Sequence, residues 1–366
     1  MKKIIFLFLL LFLPLISFGQ EVQSDSFEII KARVLEILSE EQRIIPGTNT
    51  ISNLQYLKAE VLDSSKKGQI IEIENDLFDL GVGDKFFFSY ISTPQGGELY
   101  SIRDIDRQNP IIFMVLLFIS IVILFSGFQG VRSILSLAAS FLVIIYILLP
   151  LVIKGYNPVW TSIFIGSLIL FFAIYFTHGF NKRSSIAFGG TVLAVLFTGF
   201  LAKFSIDFTK LTGFFSDETV FLNFNTGGTL DFQGLLLGSI IIGVLGVLDD
   251  IAVTQVSVVS ELKSANSNLS KKDLYVKAIK VGKDHTSSLV NTLVLAYTSV
   301  SLPLLLLISQ SDTSIFKVIN SEVFSTEIVR TVVGSIGLIL TVPITTILAV
   351  VFVGQNDEIT NCGHNH

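Results

Sequence analysis

Two rhythms of apolar residues divide the chain. From about residue 20 to 108 polar and apolar residues mostly alternate, as in half-buried strands. Five such runs stand out: Phe27–Leu38, Tyr56–Leu62, Gln69–Glu74, Lys85–Ile91 and Glu98–Ile105. Lys66-Lys-Gly68 and Gly81-Val-Gly-Asp84 supply turn chemistry between them. Five short strands with glycine-rich turns predict a small β-barrel of the OB or SH3 type. From Pro110 the rhythm changes to apolar runs of about 20 residues, long enough to cross a bilayer as helices. The predicted spans are about 110–128, 131–152, 159–178, 185–203, 234–259, 286–308 and 327–354. The predicted fold class is therefore a polytopic α-helical membrane protein of about seven spans, with an N-terminal extracytoplasmic β-barrel domain.

The ends read differently. Met1-Lys-Lys, an apolar core Ile4–Phe18 and the small residues Ser17-Phe-Gly19 match a signal peptide over 1–19, with an uncleaved first anchor as the competing reading. Either places 20–108 outside, before a membrane domain over 109–354 and a cytoplasmic tail over 355–366. The tail ends Asn361-Cys-Gly-His-Asn-His366, a metal-capable but fraying sequence.

Composition sharpens this. Of 366 residues 51% are hydrophobic and only 15% charged, against roughly 25% charged in ordinary globular domains. The mean hydropathy is +0.70. In the membrane domain basic residues are sparse and sit chiefly in short inter-span loops, which argues against nucleic-acid binding. Arg132, Lys182-Arg183 and the lysines between 263 and 283 all fall on the side that seven spans assign to the cytoplasm. The exterior loops 204–232 and 309–326 are acidic. This predicts a multi-pass membrane protein with its β-domain outside and its C-terminus inside. The single cysteine excludes an intrachain disulfide framework.

Candidate chemistry lies in the last three predicted spans. Asp249 and Asp250 interrupt the fifth one. At 100° per residue, Ser239, Gly243, Gly246, Asp250, Thr254, Ser257 and Glu261 form one stripe. A buried Asp at mid-bilayer costs about 2.5–3.5 kcal/mol, so this stripe requires a polar or wet neighbour. Two adjacent carboxylates in a low-dielectric site do not both ionise readily, which suits proton coupling or cation binding. The alternative is a solvated inner mouth. In the sixth span Asp284, His285, Ser287, Ser288, Asn291, Thr292, Thr298 and Ser299 share roughly 160° of arc, with Pro303 near its outer end. His285 is either a titrating partner of the acids or a hydrogen-bonded helix cap. In the seventh, Glu327, Arg330, Gly334, Gly337, Thr341 and Thr345 share a face, and Pro343 between Thr341 and Thr346 predicts a discontinuous helix. Gly189-Gly190 and Gly199 in the fourth span read as close-packing sites.

These residues resemble the YibE/F family of multi-span bacterial membrane proteins. The likeness runs through Gly246-Val-Leu-Asp-Asp-Ile-Ala-Val-Thr-Gln-Val256, Glu261-Leu262, Gly282-Lys-Asp-His285, Asn291-Thr-Leu-Val-Leu-Ala-Tyr297 and Leu302-Pro-Leu-Leu-Leu306. It extends to Lys67–Asn75 and Val82–Lys85 in the exterior domain. The resemblance implies the architecture and no particular substrate. It adds Gln255 and Tyr297, which lie off the stripes.

The resulting expectation is an ion- or proton-coupled transporter with a polar site among its last three spans. Asp249, Asp250, Glu261, Asp284 and His285 are the expected coupling groups. Thr254, Gln255, Asn291, Thr292, Thr341, Thr345 and Thr346 are the expected permeant lining. Gly243, Gly246, Pro303 and Pro343 are the packing and helix-break positions. No cofactor and no enzymatic activity are expected. The partners expected are the lipid bilayer, a small ion or proton, and a protein at the exterior domain. The alternative is a non-transporting sensor or assembly scaffold; intramembrane hydrolysis by the two aspartates is a weaker third, because catalytic aspartate pairs usually come from separate segments.

Overall fold

A computed structural model describes residues 27–44, 51–64, 66–92, 98–310 and 314–353. Residues 1–19, expected to be a signal peptide, and the Asn361–His366 tail lie outside the described residues. The chain divides into two compact units, 1–118 and 119–366.

In the first unit the alternating runs form strands: β1 Phe27–Ile44, β2 Ile51–Val61, β3 Ile70–Asn75, β4 Lys85–Ser92 and β5 Glu98–Ile105. They make one antiparallel sheet in the order β3-β2-β1-β4-β5. In β3 every second residue is buried, as period-two alternation requires. Ile30, Leu57, Phe86 and Phe88 fill the core. Gln55 and Asn75 are buried but satisfied: Asn75 Nδ2 donates to Gln55 Oε1 at 2.8 Å, and Gln55 Oε1 also accepts from Leu80 N at 3.1 Å. The sheet is open, which corrects the expectation of a closed OB- or SH3-type barrel. Alternation specifies strands and a buried face, whereas closure depends on pairing between edges, and β3 and β5 are both edges here. At the end of the sheet Lys31 Nζ lies 2.6 Å from Asp106 Oδ2.

The rest is helical: α1 Gln108–Val143, a π-helical turn Ile144–Leu148, α2 Leu149–Ile153, α3 Pro158–His178, α4 Lys182–Thr209, α5 Asp217–Asn225, α6 Phe232–Ala265, α7 Lys271–Val300, α8 Leu302–Ser309, α9 Ile315–Ile319 and α10 Glu322–Phe352. Short polar side chains start the long ones. Asn157 accepts from Val159 N and Trp160 N ahead of α3, Asn181 from Ser184 N, Asp231 from Gly234 N, and Ser270 from Asp273 N. α6 is central and packs against α3, α4, α7 and α10. Its Leu236, Leu237, Ile240, Ile241, Val244 and Leu248 are at most 1% exposed.

Among the described residues five helical segments are long and apolar enough to cross a membrane, six if the bent pair α7–α8 is one crossing. The first, Gln108–Ile153, has 46 residues. It contains Gly127 at φ 56°, ψ −136°. A Cβ on Gly130 would lie 2.7 Å from the carbonyl oxygen of Val122, a residue that a straight helix would place about 12 Å away along the axis. The chain therefore bends back on itself at Gly127. Pro303 stands at the start of α8, beyond a 64° bend, instead of inside a span. Pro343 does lie inside a helix, yet α10 runs unbroken from Glu322 to Phe352. The predicted discontinuity is thus absent. Proline removes only the hydrogen bond to Ile339 O, and the turns around it are held by Thr341 donating to Gly337 O at 2.8 Å and Thr346 to Val342 O at 2.6 Å.

The aromatic stretch after α4 is fastened at both sides. Glu322 Oε1 accepts from Thr212 N and Gly213 N, each at 2.7 Å, and from Phe214 N at 3.2 Å. Gly213 has φ +92°, and a Cβ there would sit 2.4 Å from the carbonyl oxygen of Phe232 at the start of α6. Glycine alone meets both demands.

Candidate functional site: an acid pair in a hydroxyl-lined cavity

The face α6 keeps out of the core is the stripe read from the sequence. Ser239, Gly243, Gly246, Asp250, Ser257 and Glu261 are exposed, while Asp249 and Thr254 are partly buried. With Leu245, Leu248, Ile251 and Ala252 buried around them, the acids sit at the edge of the apolar core. They open into a cavity of about 650 Å³. Across it stand Ser133, Ser136 and Ser140 of α1 and Thr177 and His178 at the end of α3. The serines recur at i, i+3 and i+7, one face of an otherwise apolar helix. Ser140 Oγ donates to Ser136 O at 2.9 Å, as buried hydroxyls on helices commonly do. The space beside Gly246 is open: a Cβ there would meet no atom within 4 Å.

Two carboxylates and several hydroxyls form an oxygen-rich donor set, which suits a proton or a hard cation better than a soft metal. Among the described residues no group of three or more His, Cys, Asp and Glu side chains gathers to hold a metal ion. The hydroxyls can also donate to a carboxylate, so one chamber offers both signs of hydrogen-bonding partner.

The other expected site residues are distributed elsewhere. Thr254 lines the acid cavity and also, with Ser257 and Glu261, a shallower cleft toward Val281 of α7. Glu261 also faces Arg183 at 3.6 Å, with both side chains more than half exposed. Gln255 is 2% exposed and donates from Nε2 to Ala278 O at 2.9 Å, tying α6 to α7. Gly243 lies beneath Tyr297, whose hydroxyl would be 3.1 Å from a Cβ at that position. Asp284, His285 and Thr292 are exposed on α7, outside the acid cavity. Asn291 lines a separate groove between α7 and α10. Thr341, Thr345 and Thr346 are fully buried. Thr345 packs on Gly190, and Gly337 of α10 packs on Thr198.

The polar faces of α6, α7 and α10 therefore do not converge on one chamber. The α6 acids look toward α1 and α3, the α7 stripe looks outward, and Thr345 of α10 is a knob seated on Gly190 of α4. Ser133, Ser136, Ser140, Thr177 and His178 were missed from the sequence. The spacing of the three serines on one face of an apolar span was the available signal.

No curated protein and no solved structure matches the chain. One family model does, over residues 114–355, leaving the sheet outside the match. That stretch contains α3 to α10 whole, the acid pair and its serines, and is most of the sequence. The chain belongs to the family of YibE/F-like proteins.

Proposed function

We propose that this membrane protein couples movement of a small permeant to a proton or cation taken up at Asp249 and Asp250. One observation carries the reading: the two acids share a cavity of about 650 Å³ with the serine face of α1 and with Thr177, His178 and Thr254. Ionisable groups set among membrane-spanning helices are costly and mark ion pathways by default. The coupling residues in this reading are Asp249 and Asp250, with His178 and the α1 serines replacing His285 and Asn291 as their neighbours.

The same reading has seven passes in a bacterial plasma membrane. The reversal at Gly127 supports it by dividing the 46-residue run into two limbs. Its length of about 69 Å is twice the roughly 30 Å of a hydrocarbon core. With the β-domain outside, the lysine-rich start of α7 then faces the cytoplasm, in keeping with the charge bias of membrane proteins.

The test is proton uptake or cation flux in proteoliposomes carrying the full chain, compared with Asp249→Asn and Asp250→Asn. Loss of uptake in the variants, with unchanged reconstitution, is expected. Uptake equal to wild type in both would end the proposal.

A second reading, a non-transporting scaffold, is favoured by the first limb of α1. Its Ile111–Leu117, Leu124, Phe125 and Phe128 are all exposed, so lipid or another protein must cover them. Site-directed crosslinking from Phe125 in cell membranes separates the two, since a scaffold yields one discrete protein adduct and a lipid-facing limb yields none.

A further inference from the structure

Between α7 and α10, away from the acid cavity, lies a groove of about 740 Å³. That volume falls within the roughly 300–1,000 Å³ of small-molecule sites. Its walls are apolar, chiefly Ile279, Val290, Ile339 and Val342, while Lys283, Ser287 and Asn291 form a polar edge along α7.

The charge along that edge is net positive. Leu274, Ala278, Gly282 and Thr286 are the buried side of α7, and Lys271, Lys272, Lys277, Lys280 and Lys283 are all exposed on the remaining faces. Two acids lie in this stretch against the five lysines: Asp273, which accepts from Ser270 Oγ at 2.6 Å at the helix start, and Asp284. Lys283 is the last of them before the apolar part of the helix. It stands where a helix leaves the headgroup layer for hydrocarbon.

The geometry points to this groove as a binding site for one anionic phospholipid from the surrounding bilayer, its acyl chain between α7 and α10 and its phosphate on Lys283. A basic residue set at the polar end of an apolar inter-helical cleft is the arrangement that retains acidic headgroups. Lysine serves as a point charge for the phosphate, and Ser287 and Asn291 offer hydrogen bonds deeper along the same wall. The site stands apart from the acid pair, so it holds whether or not the protein transports.

The experiment uses the full chain, purified in a neutral detergent and supplied with phosphatidylglycerol or phosphatidylcholine at equal mole fraction, with retained lipid counted by native mass spectrometry. Phosphatidylglycerol should be retained over phosphatidylcholine by roughly five-fold, about the effect of one lysine on an acidic headgroup. Lys283→Gln should remove that preference and Lys271→Gln should keep it. Both side chains are exposed, so the folded state survives either change. Val290→Trp should expel the lipid with Lys283 still present. Equal retention of the two lipids overturns the site, as does an unaltered preference in Lys283→Gln. An equal loss in Lys271→Gln would reduce it to diffuse surface attraction and overturn it too. Displacement of phosphatidylglycerol by millimolar inorganic phosphate would make it a free-anion site and refute the lipid.

Discussion

Gly189 and Gly190 are neighbours on α4, yet adding one methyl to each should have opposite effects. A Cβ on Gly189 meets nothing within 4 Å, whereas one on Gly190 would lie 2.8 Å from Thr345 Oγ1, 3.1 Å from Cγ2 and 3.2 Å from Cβ. Threonine cannot rotate out of the way, because both branches and the Cβ itself are in contact. The α4 and α10 backbones must then separate by several tenths of an ångström. Overpacking of this kind costs about 1–3 kcal/mol. Replacing a mid-helix glycine by alanine returns about 0.5–1 kcal/mol through helix propensity. Gly190→Ala should therefore be less stable than Gly189→Ala by about 1–3 kcal/mol, the latter being equal to or more stable than wild type. Thr345 Oγ1 is buried without a hydrogen-bond partner, so Thr345→Ala loses no hydrogen bond. It should relieve Gly190→Ala in the double variant, with a coupling of about 1 kcal/mol or more. Reversible unfolding in mixed micelles of increasing sodium dodecyl sulfate measures all five proteins, wild type included. Equal stability of the two glycine variants, or additive behaviour of Gly190→Ala with Thr345→Ala, would refute the packing assignment and return Thr345 to the candidates for permeant contact.

Two further outcomes follow from the geometry. Gly213→Ala should destabilise the protein by about 2–4 kcal/mol, since it combines a left-handed backbone with a Cβ placed 2.4 Å from the rigid carbonyl of Phe232; an unchanged thermal transition would count against this. In the first unit, the hydrogen bond from Lys31 holds the Asp106 carboxyl below its ordinary range. A folded-state value depressed in this way contributes stability above the unfolded-state value of about 4, and the contribution disappears as pH falls through the folded value. Thermal melts across that acid range should show a steeper loss for wild type than for Asp106→Asn, and superimposable profiles would contradict the assignment.

The strands were legible because alternation is a local signal: Ile71, Ile73 and Asn75 announce their shared face in six residues. Closure of the sheet was not, because it depends on edges that never meet in sequence. The long helices and the acid pair were legible for the same local reason. A helical stripe states which side of a helix is polar but not which helix that side addresses. Asp250 and Asn291 were read as partners, and they open into different cavities. The α10 threonines misled further. A hydroxyl bonded to its own helix, as Thr341 is to Gly337 O, is chemically as ready for a packed interface as for a pore. For Thr345 it is Gly190 opposite, on a helix some 150 residues earlier in the chain, that decides between the two.

The threonine interface between α4 and α10 bears on motion as well as on packing. Thr191 and Thr198 donate to Ala187 O and Ala194 O, and Thr341 and Thr346 to Gly337 O and Val342 O, so each hydroxyl is spent within its own helix. Sliding one helix past the other breaks none of these bonds; the fit of knob and notch resists it, together with the hold of the Glu322 carboxylate at the start of α10 on Thr212, Gly213 and Phe214 just beyond α4. The α6–α7 pair, latched by the Gln255 amide, has no such freedom. Relative movement of α4 and α10 is thus opposed by shape and by one clasp at an exposed end, whereas α6 and α7 are tied by an amide buried between them.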